Sequence, residues 1–248
     1  MNHEKKVQIA EKVIRRIEEK YEDSYLVGGV YGSVARGEDD EESDIDIIVI
    51  MDFGIKESID GFLIDDCPVN FTVRSIDEAK RVISNPDFSW PWAVSQLVDF
   101  KVIRGDSKVK EELQDEISKV NQRGLNEAVA EQLPEIYAVF YKARRNYRED
   151  DYENFVTVTL DCLNGIAGSI ALLNQRYFKK NFFFRIRETL GYEKTPKNYS
   201  EFLKKTTDFK NPDDMFKGLE ELFNNFIEFI EDEGIEIPNY SNLADIGI

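Results

Sequence analysis

Val30-Tyr31-Gly32-Ser33-Val34-Ala35-Arg36-Gly37 and, after an acidic turn, Ser43-Asp44-Ile45-Asp46-Ile47-Ile48-Val49-Ile50 form the stretch whose reading decides this chain. The second run is apolar apart from its two carboxylates and reads as a buried strand. Side chains in a strand repeat every two residues, so Asp44 and Asp46 project from one face with Cα atoms about 7 Å apart. Two carboxylates at that spacing suit a shared divalent cation. Mg²⁺ favours such hard oxygens together with the oxygens of a substrate phosphate. Upstream, Gly32 lets the backbone turn close past a ligand, while Ser33 offers a hydroxyl and a backbone N–H to an anion. A phosphate cradle beside a carboxylate pair implies phosphoryl or nucleotidyl transfer.

The remaining composition sets limits around that site. With 248 residues, 42% hydrophobic and 12% aromatic, the chain can form two modest domains with real cores. No apolar run approaches the roughly 20 residues of a membrane helix, so no membrane partner is expected. Met1-Asn2-His3-Glu4-Lys5-Lys6 lacks the apolar core of an export signal. Cys67 and Cys162 are too few for a disulfide framework. A reduced, cytoplasmic location is therefore expected. The net charge of −17 disfavours nucleic acid as a partner, because binding phosphates requires Lys and Arg to displace counterions. The same charge attracts metal ions and polyamine-like small molecules.

Along the chain, Lys5 to Glu22 carries Val7, Ile9, Ala10, Val13, Ile14 and Ile17 on one side and predicts an amphipathic helix. Tyr25 to Tyr31 and Asp44 to Met51 predict two strands, and a third is expected within Phe62 to Val73. Ser75 and Glu78 stand at capping-box positions for a helix to Ile83. Trp90-Pro91-Trp92 opens a short helix, Leu97 to Ile103 reads as an edge strand, and Ser107 as the cap of a helix from Lys108. Strand signals then vanish. Glu127–Arg148, Tyr152–Phe178, Asn181–Leu190, Ser200–Thr206 and Pro212–Asp232 read as helices, the second apolar enough to be central. Gly234 and Pro238 stop the last one. The expected class is α+β: a domain over 1–122 with a mixed twisted sheet flanked by helices, then an all-α bundle over 123–248.

Gly32-Ser33 followed by Asp44-x-Asp46 resembles the signature of the nucleotidyltransferase superfamily that includes DNA polymerase beta. Val69-Asn70-Phe71, Ser89-Trp90-Pro91, the helical second half and Leu173-Asn174-Gln175-Arg176-Tyr177-Phe178 are similar to the kanamycin (aminoglycoside) nucleotidyltransferase group. The resemblance implies transfer of a nucleoside monophosphate from ATP or another nucleoside triphosphate to an acceptor hydroxyl, with release of pyrophosphate. By the same resemblance Gly32, Ser33, Arg36 and Ser43 bind the nucleotide, Asp44 and Asp46 hold Mg²⁺, and a homodimer is implied. The acceptor it suggests is a small, cationic, aminoglycoside-like molecule. Transfer to a protein hydroxyl, and a nucleotide-binding regulatory protein without turnover, are the alternatives.

One departure concerns the third acidic residue that the superfamily places on the next strand. Pro68 and Asn70 stand there, and along an unbroken strand Asp66 shares a face with Asn70 about 13 Å away. Asn70 and Asp66 are therefore the candidate third-ligand positions. In the kanamycin enzymes a helix glutamate serves as base. The best register puts Val139 in its place and Glu135 one turn earlier, making Glu135 the substitute. Asp161 and Asn164 interrupt an apolar helix and predict a partner such as Arg144 or Arg145. Trp90 and Trp92 are expected to anchor a domain junction, and Phe182-Phe183-Phe184 to pack in a core. His3, the sole histidine, is expected in a frayed terminus. That excludes a zinc hydrolase and a Ser-His-Asp triad.

Overall fold

Ile9, Ala10 and Ile14 recur at helical spacing, and that stripe seats the first helix, α1 (His3–Lys20), on the sheet. The architecture is that of a computed structural model describing residues 1–52, 58–180 and 184–236. Two compact units divide the chain. The first is Met1–Asn121 with a short return, Tyr177–Asn181, and the second is Gln122–Arg176 with Phe182–Ile248.

In the first unit, β1 (Tyr25–Tyr31) leads through a short helix, α2 (Gly32–Arg36), into β2 (Ile45–Met51). β3 (Ser58–Ile64) and β4 (Cys67–Ser75) follow, then α3 (Ile76–Ser84), α4 (Trp90–Val98), β5 (Lys101–Gly105) and α5 (Ser107–Ile117). The five strands are ordered β3-β4-β2-β1-β5, with β2 and β4 parallel and every other neighbouring pair antiparallel. Val30, Ile45, Ile47, Val49, Met51, Val69 and Val73 meet Ile9, Ala10 and Ile14 on one face. Gly28 permits that approach, since a Cβ there would collide with Ile14. By strand alternation Ile48 and Ile50, also fully buried, point to the other face. There α3 meets β2 and β4, and α5 meets β1.

Several boundaries and one whole element depart from the sequence reading. The single third strand is a hairpin, β3–β4, turned by Asp65 and Asp66 at φ of 50° and 62°. Aspartate tolerates the left-handed region that a two-residue hairpin requires. β5 starts at Lys101 because Leu97 and Val98 finish α4. Asp106, not Ser107, caps α5 by accepting from the Lys108 N–H at 2.9 Å. Ser75 caps α3 as expected, accepting from the Glu78 N–H at 3.1 Å. His3 is the first residue of α1 and sits 2.6 Å from Asp39, so the terminus is not frayed. Trp90 is core within the first unit, its indole donating to the Ile83 carbonyl at 2.9 Å. Trp92 stacks at 6.4 Å on Phe178, which belongs to the returning segment.

The second unit contains α6 (Gln122–Arg148), α7 (Tyr152–Leu173), α8 (Arg185–Glu188) with a following 3₁₀ turn, α9 (Tyr199–Thr206) and α10 (Pro212–Asp232). α6 begins before Glu127 and carries Pro134 inside it, because the buried Leu133 and Ile136 hold the helix across the missing N–H. α7 ends at Leu173, short of Phe178. The Asn174 side chain donates to the Ile170 and Lys194 carbonyls and accepts from the Lys194 N–H, fixing the turn. By length and composition alone α7 could cross a membrane, contrary to the sequence expectation. Here Phe155, Leu163, Ile166 and Ile170 are buried and α7 packs along α6. Asp161 on α7 is exposed and needs no buried partner. Asn164 accepts from Arg185 at 2.9 Å, and Arg144 faces Glu220 instead. Phe182, Phe183 and Pro238 lie outside the described residues, while Phe184 is 53% exposed rather than core.

Candidate active site

Strand register builds the polar end of the sheet. Tyr31 on β1, Asp46 on β2, Asn70 on β4 and Gly61 on β3 are successive cross-strand partners. The side chains of Tyr31, Asp46 and Asn70 therefore leave the sheet on one face. Asp44 lies one residue ahead of β2 rather than inside it. Asn70 Nδ2 donates to Asp44 Oδ2 at 2.9 Å and to Asp46 Oδ1 at 3.0 Å, so both carboxylates converge on one nitrogen.

Gly32 closes the other side of this corner. Its φ is +67°, and a Cβ built there would lie far inside 3.0 Å of Asp46 Oδ2. Any other residue would both strain the backbone and displace the carboxylate. Ser33 is half-buried in the first turn of α2, and its hydroxyl has no hydrogen-bond partner among the described residues. Arg36 donates to Glu38 at 2.9 Å, and its charge also acts on Asp46. Ser43 is engaged in the acidic turn, where its hydroxyl meets the Asp40 N–H and carboxylate at 3.0 Å. That role shapes the approach to Asp44. Asp66 is exposed at the β3–β4 turn, beside the Asp65 that pairs with Lys5 at 2.9 Å. The turn replaces the unbroken strand on which Asp66 and Asn70 would have shared a face, and Asn70 alone stands with the pair. Glu135 belongs to the second unit and is exposed in mid-α6.

Burial, and next the charge of Asp44, push the Asp46 carboxyl up to about 6 against the pull of Asn70 and Arg36. Burial and then Asp46 raise the neighbouring Tyr31 hydroxyl to about 12, so it stays neutral. The donor set suits a divalent cation. Two acidic oxygens converge, and the charge of Asp44 disfavours that of Asp46 until a cation offsets it. Among the described residues no group of three acidic, histidine or cysteine side chains forms a metal cluster. Water and phosphate oxygens would complete the shell, as is usual for Mg²⁺.

The raised Asp46 carboxyl has a stability consequence. Folding takes up a proton between the ordinary value of 3.8 and about 6. The stability gained from that proton is full below the lower value and lost as pH rises through the upper one. In metal-free protein at pH 8, ionised Asp46 costs about 3 kcal/mol by the two-unit difference. Asp46→Asn should therefore raise the urea midpoint at pH 8 and flatten its dependence between pH 4 and 7. An unchanged pH profile would show that the carboxyl is not perturbed.

Sequence reasoning missed how the acidic turn is held. Lys6 and Asp39 have side chains 0% and 1% exposed, 3.5 Å apart, and Lys6 Nζ also donates to the Asp40 carbonyl. Burial drives the Asp39 carboxyl up, but His3 and Lys6 outweigh it and leave Asp39 below the usual range. The signal was present: Lys6 precedes Ile9 and Ala10 by three and four residues, on the core-facing stripe. Lys6→Met keeps the apolar stem but leaves the buried Asp39 carboxylate to His3 alone. It should cost about 3 kcal/mol in a urea titration. An unaltered midpoint would mean that the turn is held by other contacts.

The sequence pattern of the nucleotidyltransferase domain family matches residues 10–154. That of the KNTase C-terminal domain matches residues 107–236. Among solved structures, the chain is similar to the nucleotidyltransferase-like protein from Exiguobacterium sibiricum 255-15. The TM-score is 0.51 at 12% identity, covering 90% of this chain and 77% of that one. At that identity the likeness carries the fold alone. No curated protein matches the sequence.

Proposed function

This chain belongs to the nucleotidyltransferase family, as a transferase with a kanamycin-nucleotidyltransferase-type C-terminal domain, and on that premise we propose transfer of a nucleoside monophosphate to a small-molecule hydroxyl. The donor is ATP or another nucleoside triphosphate, and pyrophosphate is released. The observation that carries this reading is the convergence of Asp44 and Asp46 on Asn70 beside the Gly32 bend.

Asp44 and Asp46 would hold Mg²⁺, which when bound neutralises charge on the triphosphate and the leaving pyrophosphate. The chain's own part is positioning. Gly32 keeps the space in front of Asp46 clear of a side chain. Ser33 offers its hydroxyl to the triphosphate, and Arg36 adds positive charge nearby. Asn70 ties the two carboxylates together where the superfamily has a third acid, so the pair is spaced before ligand arrives. Being neutral, Asn70 cannot take a proton, and Glu135 is only the candidate base that the resemblance implies. The acidic balance of −17 supports a cationic acceptor, such as an aminoglycoside-like molecule.

The test is pyrophosphate release from labelled ATP, with Mg²⁺ and a panel of aminoglycosides and other polyamino alcohols. Acceptor-dependent release that chelation abolishes is the expected result. Nucleotide binding without release, unchanged in Asn70→Asp, would replace this reading with a nucleotide-binding regulatory role. Labelling of a co-purified protein would replace the small acceptor with a protein hydroxyl.

A further inference from the structure

We propose that the groove between α6 and α10 of the second unit binds a small organic cation carried on an apolar body. The groove holds about 550 Å³, within the usual range of small-molecule sites. Its floor is aromatic. The Phe140 and Phe223 rings stack 3.8 Å apart with 2° between their planes, and Tyr137 meets Phe223 edge-on at 5.0 Å. Tyr141 lies 6.3 Å from Tyr137 and keeps 56% of its surface exposed over this floor.

The charge at the rim selects the occupant. Glu220 and Glu228 line the groove with Arg144. Arg144 Nε lies 3.6 Å from Glu220 Oε1, an ion pair without a hydrogen bond that offsets the charge of this cation. Glu228 is exposed and has no ion-pair partner among the described residues. Burial, Tyr141 and then Glu231 raise the Tyr137 hydroxyl, which places a further carboxylate in the vicinity. A second copy of this chain, at net −17, would bring like charge to this rim. An apolar helix seated there would bury Glu228 unpaired. An ammonium group instead meets a carboxylate beside two lining tyrosines, whose ring faces attract cations.

This groove is separate from Glu135, the candidate base. Residues 137, 140, 141 and 144 form one stripe of α6, with helical spacings of three and four. Glu135 and Val139 fall on the opposite side of the helix, so the proposal does not depend on the transfer reading.

The test is calorimetric titration of the full chain with choline and with 3,3-dimethylbutan-1-ol, its neutral counterpart of the same shape. Choline should bind and the alcohol should bind at least tenfold more weakly. Glu228→Gln should weaken choline about tenfold, and Tyr141→Ala about fivefold, as expected for a partly desolvated cation over an aromatic face. Both positions are exposed, so neither change removes core packing. Glu153→Gln, exposed on α7 away from the groove, should leave binding unchanged. Equal binding of the alcohol, no binding of choline, or choline affinity unmoved by Glu228→Gln would each overturn the proposal.

Discussion

Asp44→Ala should lower kcat/KM for nucleotide transfer about 10³-fold while the protein stays fully folded. Asp44 lies just ahead of β2 and is only half-buried, so its removal opens no core cavity. Its loss also relieves the like charge that helps to raise Asp46. Stability should therefore hold or rise. The fall in rate follows because a single remaining carboxylate cannot fix a cation and the phosphates together, and such electrostatic positioning supplies several kcal/mol in phosphoryl chemistry. The experiment is steady-state pyrophosphate release across a magnesium titration. Excess Mg²⁺ should not restore the rate. Turnover within tenfold of wild type would remove Asp44 from the site.

Gly32→Ala should damage both the fold and the reaction. The methyl group would occupy a residue at φ +67° and press against the Asp46 carboxylate. Left-handed strain costs about 1–2 kcal/mol, and moving a buried, hydrogen-bonded carboxylate adds to it, for a total of about 3 kcal/mol. The urea midpoint should fall accordingly. At a temperature where the variant remains folded, turnover should still be reduced at least 10²-fold, because Asp46 is turned away from its shared contact with Asn70. A variant of wild-type stability and rate would show that the corner is not packed this way.

Legibility varied element by element. The limits of β1 and α10 match the sequence reading residue for residue, because period and caps are local properties: Asn211 caps α10 and Pro212 opens it. The kinship to nucleotidyltransferases was legible in Gly32-Ser33 and Asp44-x-Asp46, and the family match agrees with it. The β3–β4 hairpin departs from the single strand that the sequence predicts, because Asp65 and Asp66 are among the residues that accept positive φ. Pro134 lies inside the helix that the sequence predicts over Glu127–Arg148, and burial of its neighbours outweighs the lost hydrogen bond there. The apolar residues around Asp161 predict a buried position, but one side of α7 is exposed there.

The sequence by itself determined that two carboxylates two residues apart follow a glycine-serine bend, and that helices alone fill the second half. Those facts depend on covalent spacing and backbone period, which are set within a few residues. Only the tertiary structure decided that Asn70, 24 residues beyond Asp46, donates to both acids, and that Lys6 reaches the turn 34 residues away. Parallel pairing of β2 with β4 and the seating of α1 bring those groups together. Register between distant segments is fixed by the packing of both faces of the sheet and not by any local pattern.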